Sequence, residues 1–262
     1  MNTDHPSAGT REPRDPYISS HRHTVGTPAP DPCRLAATGA CPVSDLCPTR
    51  PDAFHQLFQS STVLRRVIHR GHTLYRAGDP LVNLYELYAG SVKLRSTSRA
   101  GLEQIVSFPM AGSLLGLDGI EKGTYECDAI ALEDSLVCVL PLSELAARSG
   151  SDAAAALSLN RAIAHETSHY RQLLMAMACL NSEERVAHFL VEISEKMAVN
   201  GYSPREFMLK MTREDIARHL GMQLETVSRI FTHLRATHVL DVRRRHIRIR
   251  SPEALRSIGA TH

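Results

Sequence analysis

The 262-residue sequence contains no apolar run approaching the ~20 residues that a membrane helix needs, and its N-terminus has no apolar signal-peptide core. A cytoplasmic protein without a membrane partner is expected. There is no C-x2-C pair and no histidine at finger spacing, which weighs against a zinc finger. A dinucleotide glycine fingerprint, a phosphate-binding loop and an acid–base constellation are also missing, so the chain does not read as an enzyme. Large apolar side chains are scarce in residues 1–32, which instead carry Pro6, Pro13, Pro16, Pro28, Pro30 and Pro32. Such a composition cannot bury a core and predicts a disordered tail, with His5, His21 and His23 solvated in it. The remainder, with 43% hydrophobic residues over the whole chain and a net charge of +2, suits a globular protein of two domains.

What is present is organised around Met211–Leu234, MTREDIARHLGMQLETVSRIFTHL. Thr212 is placed to cap a helix whose first turn holds Glu214 and Asp215, where carboxylates suit the positive end of the helix dipole. Gly221 is placed to close that helix in the left-handed conformation and turn the chain into a second one. In the second helix Val227, Ile230, Phe231 and Leu234 share one face at i, i+3, i+4, i+7 spacing. At about 100° per residue Glu225, Ser228, Arg229 and Thr232 fall on the other. Arginine pairs with guanine O6 and N7, glutamate accepts from cytosine N4 and serine bonds to either kind of group, so this face suits the major groove. The plain alternative is a surface helix whose charges are only solvated.

Val239–Arg250, VLDVRRRHIRIR, predicts a basic hairpin with Ile247 and Ile249 on its buried face. From Arg205 to Arg256 there are twelve Arg and Lys against six Asp and Glu, a balance of +6 that leaves −4 for the rest of the chain. The positive charge is therefore concentrated where phosphates would lie.

Cys33, Cys41 and Cys47 fall within fifteen residues, and Cys127, Cys138 and Cys179 are scattered further on. Thiols stay reduced in a cytosolic chain, so the cluster points to metal or redox chemistry rather than disulfides. Three thiolates from one segment and one from a distant strand would satisfy an iron–sulfur cluster. Incidental thiols remain the other reading, and a small buried core residue is the ordinary fate of Cys127, Cys138 and Cys179.

Between Val63 and Pro141 seven short apolar segments separated by glycine turns predict an antiparallel barrel or sandwich, within a domain spanning 51–142. On its last strand Leu136, Cys138 and Leu140 are expected on one face. A single long helix is predicted over 143–181. Asn160, Ile163, Thr167, Tyr170, Leu174 and Met177 repeat at 3, 4, 3, 4, 3, the seam of a two-stranded coiled coil. Its two polar members predict weak, conditional dimerisation, while a helix packed on its own barrel fits the same pattern. A dimer would set two recognition helices about one helical turn apart on a palindrome. An amphipathic helix capped by Asn181 or Ser182, with Glu184 behind it, opens the C-terminal domain at 182–262.

An α+β chain of barrel, long helix and winged helix-turn-helix resembles the cyclic-AMP receptor and FNR superfamily of transcription regulators. NSEERVAHFL, GYSPREFMLKMTREDIARHLG and LETVSRIF are similar to its oxygen-sensing fumarate and nitrate reduction branch. The resemblance implies a cyclic-nucleotide-binding-like jelly roll, a homodimer, contact with RNA polymerase, and activation or repression of genes on double-stranded DNA. It implies a TTGAT-like half-site with Glu225 and Arg229 on the G·C pair and Ser228 on a neighbouring T. Thr212, Arg213 and Thr226 match positions that contact phosphate. It further implies a [4Fe–4S] cluster held by Cys41, Cys47, Cys138 and a third N-terminal cysteine. Here the sequence departs from the pattern: Thr38 stands three residues before Cys41, and Cys33 takes the role in a C-x7-C-x5-C arrangement. GSLLGLDGIEKGTYECDAIA lacks the arginine that a cyclic phosphate needs, so no cyclic nucleotide is expected. A regulator of this fold sensing nitric oxide, haem or thiol oxidation without a cluster is the alternative.

Overall fold

The computed structural model describes residues 64–260; the expected tail at 1–32 and cysteine-rich loop at 33–50 lie outside the described residues. Eight strands follow: β1 (Arg65–Ile68), β2 (Thr73–Tyr75), β3 (Asn83–Ala89), β4 (Val92–Thr97), β5 (Glu103–Ser107), β6 (Leu114–Leu115), β7 (Asp128–Ala131) and β8 (Ser135–Pro141). They form two antiparallel four-stranded sheets, ordered β1-β8-β3-β6 and β2-β7-β4-β5, in the manner of a jelly roll. Seven coincide with the apolar segments; β6 has only two residues and shows no period. Leu84, Leu87, Val92, Leu94, Val137 and Leu140 fill the interior. Gly90 makes the close approach between strands: a Cβ there would lie 2.3 Å from Ser135 Oγ.

The predicted long helix is broken. It comprises α1 (Leu142–Ser151) and α2 (Ala153–Cys179), separated by Asp152 in extended conformation at φ −128°, ψ 111°. The Asp152 carboxylate accepts from the Ala154 amide at 2.8 Å. Aspartate competes for backbone donors, so it caps a new helix more readily than it continues an old one. Ala155 is buried, and Leu159 and Ala162 pack against the roll, so one face of α2 does lie on its own barrel.

Helix α3 (Ser182–Val199) starts at Asn181 with the expected reciprocal capping by Glu184. Strand β9 (Glu206–Met208), helices α4 (Arg213–Leu220) and α5 (Leu224–Ala236), strands β10 (Leu240–Arg243) and β11 (His246–Ile249) and helix α6 (Pro252–Gly259) complete the winged domain. β9 adds an unpredicted third strand beside β11. Thr212 caps α4, and Gly221 closes it at φ +63°. Phe189, Leu190, Ile216, Leu234 and Leu240 are at most 2% exposed, and burying each such side chain contributes roughly 1.5–3 kcal/mol. Packing of this kind, more than helix propensity, holds two helices as short as α4 and α5 in place.

A Cβ at Gly221 would adopt a disfavoured φ and lie 3.1 Å from the Met177 methyl carbon. Gly221→Ala is expected to destabilise the fold by about 1–2 kcal/mol. Thermal unfolding checks this, and an unchanged midpoint would contradict the assignment of Gly221 as the turn-closing residue.

Candidate nucleic-acid interface

The amphipathic division of α5 is realised in three dimensions. Val227, Ile230, Phe231 and Leu234 are buried, whereas Glu225, Ser228, Arg229 and Thr232 are exposed on the other side. Arg229 Nη2 donates to Thr226 Oγ1 at 3.3 Å, which ties the guanidinium to the first turn of the helix. Thr212 is exposed at the cap of α4. Arg213, expected at the phosphates, is half-buried: its guanidinium carbon lies 3.2 Å from the centre of the Phe231 ring. Burial lowers its pKa to about 10, leaving it charged at neutral pH. Among the described residues its buried Nη1 has no hydrogen-bond partner.

β10 and β11 form the basic hairpin, with Ile247 and Ile249 buried. Arg250 pairs with Asp241, and Arg248 and His246 lie against Glu206. Arg243 and Arg244 are exposed at the tip, where Arg244 takes φ +57°. Two exposed guanidiniums at the end of a rigid ribbon suit contact with a phosphate backbone.

The winged domain is mounted on the roll through α4. The His219 ring packs against Phe108 and Phe189, with centroids 5.0 and 5.7 Å away, in a triangle of rings that Phe108 and Phe189 close at 5.9 Å. Its Nδ1 donates to the Ile105 carbonyl of β5 at 3.0 Å, and Gln104 Nε2 donates to the His219 carbonyl at 3.1 Å. Ion pairs flank this seal. Lys93 Nζ lies 2.5 Å from Asp215, Arg218 bonds Glu103, and Lys210 lies 2.7 Å from Glu133. The sequence reading missed Lys93, Glu103 and Gln104. Their signal was a run of charged and polar side chains on β4 and β5, which a solvated strand face would also display.

On α2 the six seam positions divide. Asn160, Ile163, Thr167 and Leu174 are exposed, with Leu174 66% accessible, whereas Tyr170 and Met177 turn partly into their own chain. Tyr170 helps line a cavity of about 550 Å³ with Ala77, Asp118, Lys122, Tyr125 and Cys127. Among the described residues no arginine lines it, and Lys122 is paired with Glu126. Burial, with Asp118 nearby, pushes the Cys127 thiol up to about 12, so it stays protonated.

Cys138 is 1% exposed and in no disulfide, yet it lies outside the apolar cluster filling the roll. Its cross-strand partners are Arg65 on β1 and Glu86 on β3. Burial raises the Glu86 carboxyl to about 7, against the opposing charge of Arg65. The expected grouping of Cys138 with Leu136 and Leu140 is only partial: Leu140 joins the core cluster and Leu136 is half-buried, because this strand is covered on both faces. Cys33, Cys41 and Cys47 lie outside the described residues, and within those residues no group of three His, Cys, Asp or Glu is arranged to hold a metal. Among the described residues no helix is long and apolar enough to cross a membrane.

A jelly roll joined by a long helix to a winged domain with an exposed polar recognition face is the architecture of a DNA-binding transcription regulator. The chain belongs to the CRP/FNR family of such regulators, whose members are not enzymes. The Crp-like helix-turn-helix domain matches residues 184–258 and the cyclic nucleotide-binding domain residues 65–148. The fumarate and nitrate reduction regulatory proteins of Salmonella typhimurium and Escherichia coli K12 are each 35% identical over 221 residues, 84% of this chain and 88% of theirs. FixK2 from Bradyrhizobium japonicum superposes with a TM-score of 0.70 at 27% identity, covering 77% of this chain and 100% of its own. A CRP-family transcriptional regulator from Thermus thermophilus, at 18% identity and a TM-score of 0.61 over 74% of this chain and 96% of its own, shares the fold.

The His219 seal predicts a pH dependence. Burial depresses its pKa from 6.5 to about 4, so between those values the unfolded chain binds the additional proton. The contribution is fully present above pH 6.5 and is lost progressively as pH falls towards 4. Urea unfolding of the unmodified chain should weaken across that window, and His219→Asn should flatten the dependence; an equally steep curve in the variant would exclude His219 as its source.

Proposed function

We propose that this regulator responds to oxygen, controlling genes of anaerobic metabolism by binding a TTGAT-like palindrome as a dimer. The observation that carries the DNA reading is the exposure of Glu225, Ser228 and Arg229 together on α5, with the arginine held by Thr226. Arg229 reads the guanine through O6 and N7, Glu225 accepts from the paired cytosine and Ser228 meets a neighbouring thymine. Thr226, in the first turn of α5, donates to a phosphate oxygen, whereas the Thr212 amide and hydroxyl are given to Asp215 in the cap of α4; Arg243 and Arg244 lie along the backbone.

Cys33, Cys41, Cys47 and Cys138 would hold the [4Fe–4S] cluster, which supplies an oxygen-labile centre when bound. Supporting this role, Cys138 is a buried thiol outside the apolar core, with the polar residues Arg65 and Glu86 as its cross-strand partners. Asn160, Ile163, Thr167 and Leu174 on α2 form an open stripe for the same stripe of a second copy. Two polar members keep that seam weak, so order around Cys138 shifts the population towards the paired state. The dimer then presents two recognition helices and meets RNA polymerase on the DNA. A cyclic nucleotide is not the effector, since among the described residues the cavity beside Tyr170 offers its phosphate no arginine. Thiol sensing through Cys127 is disfavoured by the thiol's high pKa.

Anaerobically purified protein should be coloured, carry about four irons per chain and bleach in air, and Cys138→Ser should lose both colour and iron. Iron retained in that variant would remove Cys138 from the site, and a colourless protein from strictly anaerobic cells would favour a cluster-free sensor. Arg229→Ala should cut discrimination at the guanine by about 1–3 kcal/mol, measured by titration against duplexes altered at that pair. Equal weakening on all duplexes would reduce Arg229 to a backbone contact.

A further inference from the structure

We propose that Arg213 is a positioning residue of the recognition helix, not a phosphate ligand. It braces the start of α4 against the middle of α5 by stacking its guanidinium on Phe231. The inference rests on the reading of Arg229 as a base contact.

Four observations converge. The guanidinium carbon lies 3.2 Å from the centre of the Phe231 ring, so cation and aromatic face are in contact. Phe231 is 3% exposed and belongs to the apolar cluster of the winged domain, so this face of the ring is an interior one. Nη1 is buried and has no partner among the described residues, whereas Thr212 beside it and Arg229 on α5 are exposed. Burial also lowers the guanidinium's pKa to about 10, evidence of a charge withdrawn from water. A side chain committed to phosphate would gain most by keeping its fork in solvent at the protein surface.

The geometry ties the stack to specificity. Arg213 is the first residue of α4, directly after the Thr212 cap, and Phe231 is two residues beyond Arg229 and three beyond Ser228. Fixing the ring fixes the rotation of α5 about its own axis and with it the direction of the exposed readers. A bidentate contact to guanine tolerates little rotation, so a loosened brace costs discrimination before it costs general affinity. Lysine cannot substitute, because a flexible ammonium keeps the charge but not the flat stack.

The test titrates the full chain, prepared without air, against a TTGAT palindrome and against the same duplex with its guanines replaced, from about 50 to 200 mM salt. Arg213→Lys, Arg213→Gln, Phe231→Leu and the double variant Arg213→Gln/Phe231→Leu are compared with the unmodified chain. Each is expected to lose about tenfold of the preference for the guanine-containing duplex, with the salt slope unchanged and the double variant no worse than its worse parent. A fall of about 0.9 in the salt slope for Arg213→Gln, with equal loss on both duplexes, would instead make Arg213 a phosphate ligand and overturn the proposal. So would full retention of the preference in Arg213→Lys. Melting of the four variants without DNA gives a second, independent readout. Non-additive shifts for Arg213→Gln and Phe231→Leu support the brace, and strictly additive ones refute it. Should the unmodified chain show no preference for the guanine, the base-reading assignment fails and the melting cycle alone decides the brace.

Discussion

The neutral imidazole of His219, packed against Phe108 of the roll and Phe189 of α3, is the point on which the described structure turns. Ile105, Phe108 and Leu132 from the roll share one apolar cluster with the interior of the winged domain. A charged ring there would be desolvated, so the seal holds while the histidine is neutral and its Nδ1 proton meets the Ile105 carbonyl. Around this dry centre run the partly exposed pairs Lys93–Asp215, Arg218–Glu103 and Lys210–Glu133. Individually such pairs contribute little. Together they fix the direction in which the winged domain docks, because each joins a defined position on the roll or its adjoining loop to one on or just before α4.

Asp215 connects that mounting to the start of the helix-turn-helix. Its carboxylate accepts from the Thr212 amide and hydroxyl while pairing with Lys93, so one group closes the capping box of α4 and anchors it to β4. With α4 committed to the roll, α5 is left with its polar side open, and Glu225, Ser228 and Arg229 stand clear of protein contacts that would bury them. The Arg213–Phe231 stack joins the start of α4 to the middle of α5. Helix α2 lies on the roll through Leu159 and Ala162, with Ala155 buried, and leaves Ile163 and Leu174 exposed. A single helix thus serves its own domain with one face and leaves another exposed.

Local chemistry was legible in the residues wherever backbone and side chain interact within a few positions. The caps at Asn181 and Thr212, the left-handed closure at Gly221 and the apolar stripe Val227, Ile230, Phe231, Leu234 all involve neighbours along one helix. Seven of the eight roll strands announced themselves by alternation and glycine turns. The break at Asp152 was not read: an alanine-rich stretch favours helix on both sides of it, and a single capping side chain decided the interruption. β6 and β9 were too short to carry a period, and their strand character comes from the partners β3 and β11.

By itself, then, the sequence determined the order of the parts, the polarity of each helix and the residue types offered to DNA, because these depend on spacing of two to seven residues and on charge composition. Tertiary structure decided which polar groups remain available. Arg213 and Arg229 are the same residue type on adjacent helices, yet one is stacked on a buried ring and the other is exposed. Lys93 and Glu103 read as ordinary strand charges until α4 came to rest beside them. Tyr170 and Leu174 belong to one heptad pattern but face different surroundings, the first a cavity within its own chain and the second solvent. The physical reason is common to all three: desolvation and pairing depend on neighbours far apart in the chain, and no local period encodes which of two equivalent side chains will meet them.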